Sequence, residues 1–278
     1  MSDIDQLRHF IRIYIDNVVE GLEFRTKEKV RQPWYSGEVS SVLNGLLGRQ
    51  ATLTIKLAQS PTNWDGHLAP LILRSMIDCH ITFEWILQNP KVRAEEYIGY
   101  ALGQAKLSIA HLEEKLHETP DDDRIKSMID IKQSWIAHHR LMNFVEVNLG
   151  SWSGASVRKM AQEIGDEDFY KFSFTPFSRC VHNMWEHVHL YNTVACRNPL
   201  HKFHELPAMV DAPLDPDYLY RSAKYVSMSY RAYDRATHVT GAPQMPRDFF
   251  WDHIDEAFGP ISHEDRTAAE YDLGAPDT

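Results

Sequence analysis

"HLAPLILRSMIDCHITFEWILQ", residues 67–88, decides the fold. Its apolar residues recur at three- and four-residue spacing and leave almost no polar face. The stretch therefore reads as a helix enclosed by other helices, not as a strand or a surface helix. Outward from it the same period persists in both directions, and alternating β-branched runs are missing. The expectation is an all-α fold, a single large multi-helix bundle of about eight helices.

Upstream, Leu7, Phe10, Ile11, Tyr14, Val18 and Leu22 make one stripe of a first helix over residues 3–30, fit to dock on the bundle or on a second subunit. A second helix follows over 38–59, and "SPTNWDG" supplies the turn before the central stretch. Downstream, Asn89-Pro90 ends the central helix and another runs to Glu118. Thr119-Pro120 and "DDD" read as the cap and first turn of a fifth helix reaching Gly150. Further helices are expected over 153–164 (stopped by Gly165), 175–196, from Asn198 onward, and 215–240. Residues 1–258 then form one helical domain, with N-terminal helices over 1–60 and a core bundle over 61–240. Residues 259–278, rich in acids, Gly and Pro, form a flexible tail.

The totals exclude some functions. The 29 Lys and Arg against 39 Asp and Glu give a net charge of -10, so any nucleic-acid contact must be a local basic site. No apolar run is long enough to span a membrane, and the charged start does not have the clean apolar block of a signal peptide, so a cytoplasmic protein is expected. Cys79, Cys180 and Cys196 form no CxxC pair and read as small core residues.

Four places could carry chemistry. In "CRNPLHKFHELP", residues 196–207, Asn198-Pro199 reads as a helix N-terminus. Its free N–H groups and Arg197 would make an anion pocket, with His201 kept neutral by the helix dipole; the plainer alternative is a cap with histidines on a wet surface. Arg74 and Asp78, one turn apart in the most apolar helix, need partners there, as a structural ion pair or as a ligand pocket. In "HNMWEHVH", His182, Glu186 and His189 would share one helix face. No convincing further acids complete a metal set, so neither metal nor cofactor is expected. Over 215–240, Arg221, Lys224, Arg231 and Arg235 alternate with Tyr218, Tyr225, Tyr230 and Tyr233. That is a stacking platform for single-stranded nucleic acid or a solvated helix face.

Arg197 followed by a polar residue, and separated from His204 by six residues, is similar to the motif of the HEPN nuclease superfamily. That resemblance implies a metal-independent ribonuclease of the toxin or phage-defence type, in which two subunits face each other. Arg197 would steady phosphoryl charge and His204 would handle the ribose 2′-OH proton, assisted by His201 or His182. Pro199 departs from the continuous helix of that family.

A wider resemblance rests on "LILRSMIDCHITFEWIL" at 71–87, "FSRCVHNMW" at 177–185 and "NPLHKFHELP" at 198–207. It is similar to the uncharacterised family called domain of unknown function 5677, in which Arg74, Ser75, Asp78, Ser178 and His182 fall on the recurrent positions. No activity comes with it. The alternative to an enzyme is a non-catalytic helical module binding a small anionic ligand or a protein partner through Arg74, Asp78, His182 and the 197–204 segment, Asn198 included.

Overall fold

A computed structural model of the chain describes residues 3–27, 36–140 and 153–259. The architecture is all-α. Its helices are α1 (Asp3–Thr26), α2 (Gly37–Ala58), α3 (Ala69–Gln88), α4 (Pro90–Glu118), α5 (Asp123–Arg140), α6 (Val157–Glu163), α7 (Glu167–Phe169), α8 (Thr175–Val181), α9 (Trp185–Asn192), α10 (Asp217–Thr237) and α11 (Pro246–Phe258). Between α9 and α10 lies a small antiparallel hairpin of β1 (Thr193–Ala195) and β2 (Glu205–Pro207), with Val194 opposite Leu206. Among the described residues no helix is long and apolar enough to cross a membrane.

The core forms where α3 and α10 cross against α2. Leu73, Met76, Ile77, Ile81, Phe83 and Ile86 from α3 meet Leu43, Leu47 and Leu57 from α2 and Tyr225, Val226, Tyr230 and Tyr233 from α10. Each such side chain contributes about 1.5–3 kcal/mol by leaving water. The stripe of α1 docks on this same bundle: Phe10 and Tyr14 bring their rings to 5.5 and 6.3 Å from Phe250 of α11. Beyond the core, α4 and α5 pair antiparallel over a separate cluster of Leu102, Ile109, Ile125, Ile129 and Ile136.

Several polar groups inside the core are tied together. Arg25 of α1, 1% exposed, gives a forked ion pair to Asp234 of α10 (Nε 2.8 Å, Nη2 2.5 Å) and a third bond to the Gly21 carbonyl. Its guanidinium also lies 4.2 Å from the Tyr230 ring centroid. Gln50 donates to Ser229 Oγ and to the Met76 carbonyl, and His80 Nδ1 meets the same Ser229 Oγ at 3.0 Å. Desolvation, with Arg235 adding to it, pushes the His80 imidazole down to about 3, so it is neutral at pH 7.

Several expectations are corrected. The tyrosines of α10 are no stacking platform: Tyr225, Tyr230 and Tyr233 are fully buried, while Arg221, Arg231 and Arg235 pair with Asp217, Asp248 and Glu84. The helix is amphipathic with its rings inward, a pattern that sequence spacing shares with a ring-bearing surface. The cap of α5 is Asp122, which accepts from the N–H groups of Arg124 and Ile125, and Thr119-Pro120 belongs to the preceding turn. The part of that expected helix beyond residue 140, and the tail over 260–278, lie outside the described residues. Thr175-Pro176 stands in the first turn of α8, but no loop precedes it. Residues 167–181 run on as one helical path, with a π-helical turn at Tyr170–Phe174. The turn is closed by the Thr175 N–H on the Tyr170 carbonyl. Pro176 has no N–H and crowds the carbonyl four residues back, and a widened turn accommodates both. The α11 helix carries no strong start signal beyond Pro246 and does not stand out in the sequence.

Candidate functional site

Arg74 is placed by α3 against the π-helical turn. Its guanidinium carbon lies 3.1 Å from the Phe174 ring centroid, Nε donates to Ser178 Oγ at 2.9 Å, and Nη1 pairs with Asp78. Ser178 in turn donates to the Phe174 carbonyl, and Tyr170 stacks on Phe174 at 4.5 Å. Burial pushes Arg74 down and Asp78 up, and each partner opposes the other's shift. Nε, Nη1 and a guanidinium face are thus all engaged by the protein. This is the geometry of an arginine paired within α3 to Asp78 and tying α3 to α8 through Ser178 and to the π-helical turn through Phe174, and it supports the structural reading of Arg74 and Asp78 over an anion pocket.

The other candidates sit on an arm. Between Cys180 and Leu219 no residue is fully buried, yet the segment is ordered into α9 and the hairpin. The loop before α3 holds it. The His67 ring lies 4.8 Å from Tyr191, His67 Nε2 bonds the Val210 carbonyl at 3.1 Å, and Asp215 N–H donates to the Trp64 carbonyl at 2.7 Å. Burial, with His67 beside it, pushes His187 down. A groove of about 540 Å³ between loop and arm is lined by Asp65, His67, Asn192, Val210 and Asp211, and its two carboxylates do not suit an anion.

The arm corrects the expected helix over 175–196. The chain breaks at His182–Met184, where Asn183 takes φ 50°, so α8 and α9 are separate and His182, Glu186 and His189 do not share a helix face. Glu186 pairs with Arg179 at 2.8 Å, and His189 meets Glu205 of β2 at 2.8 Å. His182 ends α8 with its side chain exposed. No hydrogen bond or ion pair joins it to Arg197 or His204 among the described residues.

Asn198-Pro199 opens no helix either. The chain instead turns back on itself between β1 and β2: Cys196 N–H donates to the His204 carbonyl, His201 N–H to Asn198 and His204 N–H to His201. With no helix there, the dipole argument for an anion pocket and for a neutral His201 has no basis. Asn198 makes an Asx turn, its Oδ1 accepting from Leu200 N–H at 3.0 Å. That bond fixes which way the amide faces. Its Nδ2 is then the atom 3.2 Å from His201 Nε2, so this ring nitrogen accepts and the proton sits on Nδ1, which lies 3.7 Å from Cys196 Sγ. The His201 and His204 rings are 5.3 Å apart. The His204 ring makes no side-chain hydrogen bond, and Arg197 and Lys202 have no ion-pair partner, among the described residues. Phe203, at φ 59°, is fully exposed beside them.

The structure therefore brings Arg74, Asp78 and Ser178 together in one place, and Asn198, His201 and His204 in another with Arg197 beside them. Cys196, expected in the core, is half-buried on the hairpin. Lys202 and Phe203 join the second group without any helical or strand period to mark them. Thr193-Val194, a β-branched pair, followed by the turn dipeptide Asn198-Pro199, is the local signal for the hairpin.

A family model described as a family of unknown function (DUF5677) matches residues 40–198, more than half of the chain. No curated protein and no solved structure matches the chain. The matched span holds α3, the Arg74 lock, α9 and β1, and it ends at the turn of the hairpin.

Proposed function

The chain belongs to this family of unknown function, and from that premise we propose that it is a metal-independent endoribonuclease working through the exposed hairpin. One observation carries the reading. The hairpin tip gathers two neighbouring imidazoles, two cations without ion-pair partners among the described residues and a fully exposed aromatic ring, on a chain whose net charge is -10. Arg197 and Lys202 meet phosphate oxygens, and Phe203 offers a face for a base. His204, whose ring makes no side-chain hydrogen bond among the described residues, takes the ribose 2′-OH proton as that oxygen attacks phosphorus. His204 then returns that proton to the departing 5′-oxygen, to which His201 donates a hydrogen bond from Nδ1, leaving a 2′,3′-cyclic phosphate. Arg197 steadies the charge that develops on the phosphoryl oxygens. The toxin or phage-defence role implied by the HEPN motif travels with this activity, although the motif stands here on a hairpin and not on a helix.

The test is cleavage of a labelled single-stranded RNA by metal-stripped protein in chelator. His204→Ala and Arg197→Ala should each abolish or strongly reduce cleavage with an unchanged far-ultraviolet helix signal. Full activity in His204→Ala, or no cleavage by the native chain, overturns the proposal.

A second reading is favoured by the apolar side chains of the arm. Trp185, Leu190, Val194, Leu200, Leu206 and Met209 are all exposed, Met209 at 99%, which is the composition of a surface that docks on protein. A second copy of the chain, as the HEPN resemblance implies, is the occupant to test first. Light scattering on the native chain and on Trp185→Ser/Leu190→Ser separates the cases, since a monomer in both removes the dimer.

A further inference from the structure

The hairpin tip holds a group that acid–base chemistry leaves unused. Cys196 faces His204 across the hairpin, tied by the 2.9 Å bond from its N–H to the His204 carbonyl, and the turn returns His201 to the same side. One ligand atom from each of Cys196, His201 and His204 lies within 4.8 Å of the others, and Cys196 Sγ is 3.7 Å from His201 Nδ1. A tetrahedral zinc ion with Zn–S of about 2.3 Å and Zn–N of about 2.0–2.1 Å needs its ligand atoms roughly 3.3–3.6 Å apart. The sulfur–nitrogen pair is already near that spacing, and small side-chain rotations bring the rest to it. The backbone that holds them is closed by three hydrogen bonds, so little ordering is left for the ion to impose.

We propose that Cys196, His201 and His204 form a three-ligand Zn²⁺ site at the hairpin tip with its fourth position open. Thiolate plus imidazole is a donor set that selects zinc over magnesium or calcium. Cys79 and Cys180 are buried elsewhere, which makes Cys196 the accessible thiol among the described residues.

The neighbouring amide supplies a sharper consequence. Coordination through His201 Nδ1 moves the ring proton to Nε2, which now faces the donor Nδ2 of Asn198 at 3.2 Å. Asn198 must flip, and Leu200 N–H then loses its acceptor at 3.0 Å. An aspartate at this position has two acceptor oxygens, one for Leu200 N–H and one for His201 Nε2–H. Asn198→Asp should therefore tighten the metal, on the order of tenfold, as carboxylates behind ligating histidines do.

A bound ion occupies both imidazoles. On the ribonuclease reading, on which this part rests, Zn²⁺ switches cleavage off, and removal of the ion restores it.

The experiment is a titration of the reduced, metal-free full chain with Co²⁺, read by its visible ligand-field bands and its near-ultraviolet thiolate-to-cobalt band, followed by displacement with Zn²⁺. One equivalent giving both bands is expected. Cys196→Ser should lose the thiolate band, His204→Ala should weaken binding by about tenfold or more, and Asn198→Asp should strengthen it. Absence of the thiolate band in the native chain, or its persistence in Cys196→Ser, overturns the site. Asn198→Asp that fails to tighten Co²⁺ overturns coordination through Nδ1. Cleavage by the metal-free chain is scored separately, so cobalt binding without RNA cleavage removes the ribonuclease and leaves the site, and cleavage without cobalt binding does the reverse.

Discussion

Replacing Arg74 with methionine keeps the length of the side chain and removes its charge, its planar face and its donors. Three interactions go with it. A desolvated guanidinium over an aromatic face is worth about 2 kcal/mol, and a hydrogen bond from a charged donor such as that to Ser178 about 1.5–3 kcal/mol. The pair with Asp78 adds no more than about 1 kcal/mol, because the Asp78 side chain is 41% exposed and solvent screens it. These do not add, and the apolar replacement recovers the cost of desolvating a cation in a side chain only 11% exposed. The net loss for Arg74→Met should be about 2–4 kcal/mol, measured as a fall in the urea midpoint at unchanged slope. Arg74→Lys should lie between, since a lysine can still meet Asp78 but offers no flat fork to Phe174 and Ser178. A cycle with Phe174→Leu should return a coupling of about 1–2 kcal/mol. An Arg74→Met protein as stable as the native chain, or more so, would refute the structural reading and make Arg74 a ligand-binding group kept at a cost in stability.

Arg25→Met should cost about 3–5 kcal/mol at pH 8, because it strands Asp234, whose side chain is 14% exposed. Burial already pushes the Asp234 carboxyl up against the pull of Arg25; without Arg25 it rises further, so the deficit should shrink as the pH falls and the carboxylate takes a proton, and an equal deficit at pH 8 and pH 5 would rule the charge out as its cause. His80 is held neutral down to about pH 3 in the fold but titrates near 6.5 when unfolded, so the unfolded chain binds the extra proton and stability falls with decreasing pH across that window. Relative to His80→Asn, the native chain should lose on the order of 1 kcal/mol per pH unit below 6.5, and parallel pH curves would remove the assignment. Gly21→Ala places a methyl group 2.8 Å from the buried Tyr230 ring, so α1 must move off α10 and thermal denaturation should report a loss of about 1–3 kcal/mol.

The helical period at 67–88 determined by itself that the chain is all-α and that α3 is central, because an apolar stripe of that width can be satisfied only by other helices. Asn89-Pro90 fixed the α3/α4 boundary for an equally local reason, the steric exclusion of the helical region before proline. The pairing of Arg74 with Asp78 was legible too, being one turn apart on an apolar helix, but Ser178 and Phe174 lie about a hundred residues away and only folding brings them in. On α10 the spacing of tyrosines and arginines was the same for a platform and for a core face, and the direction in which the helix was docked made the rings core. The hairpin is the plainest case of tertiary decision. Asn198-Pro199 is a helix opening or a turn according to what precedes it, and a break at Asn183 with α9 anchored on His67 sends β1 back against β2. Local chemistry set which residues could meet at residues 196–204; the hydrogen bonds of the hairpin, which link positions too far apart for any helical or strand period to relate, decided that Cys196, His201 and His204 do.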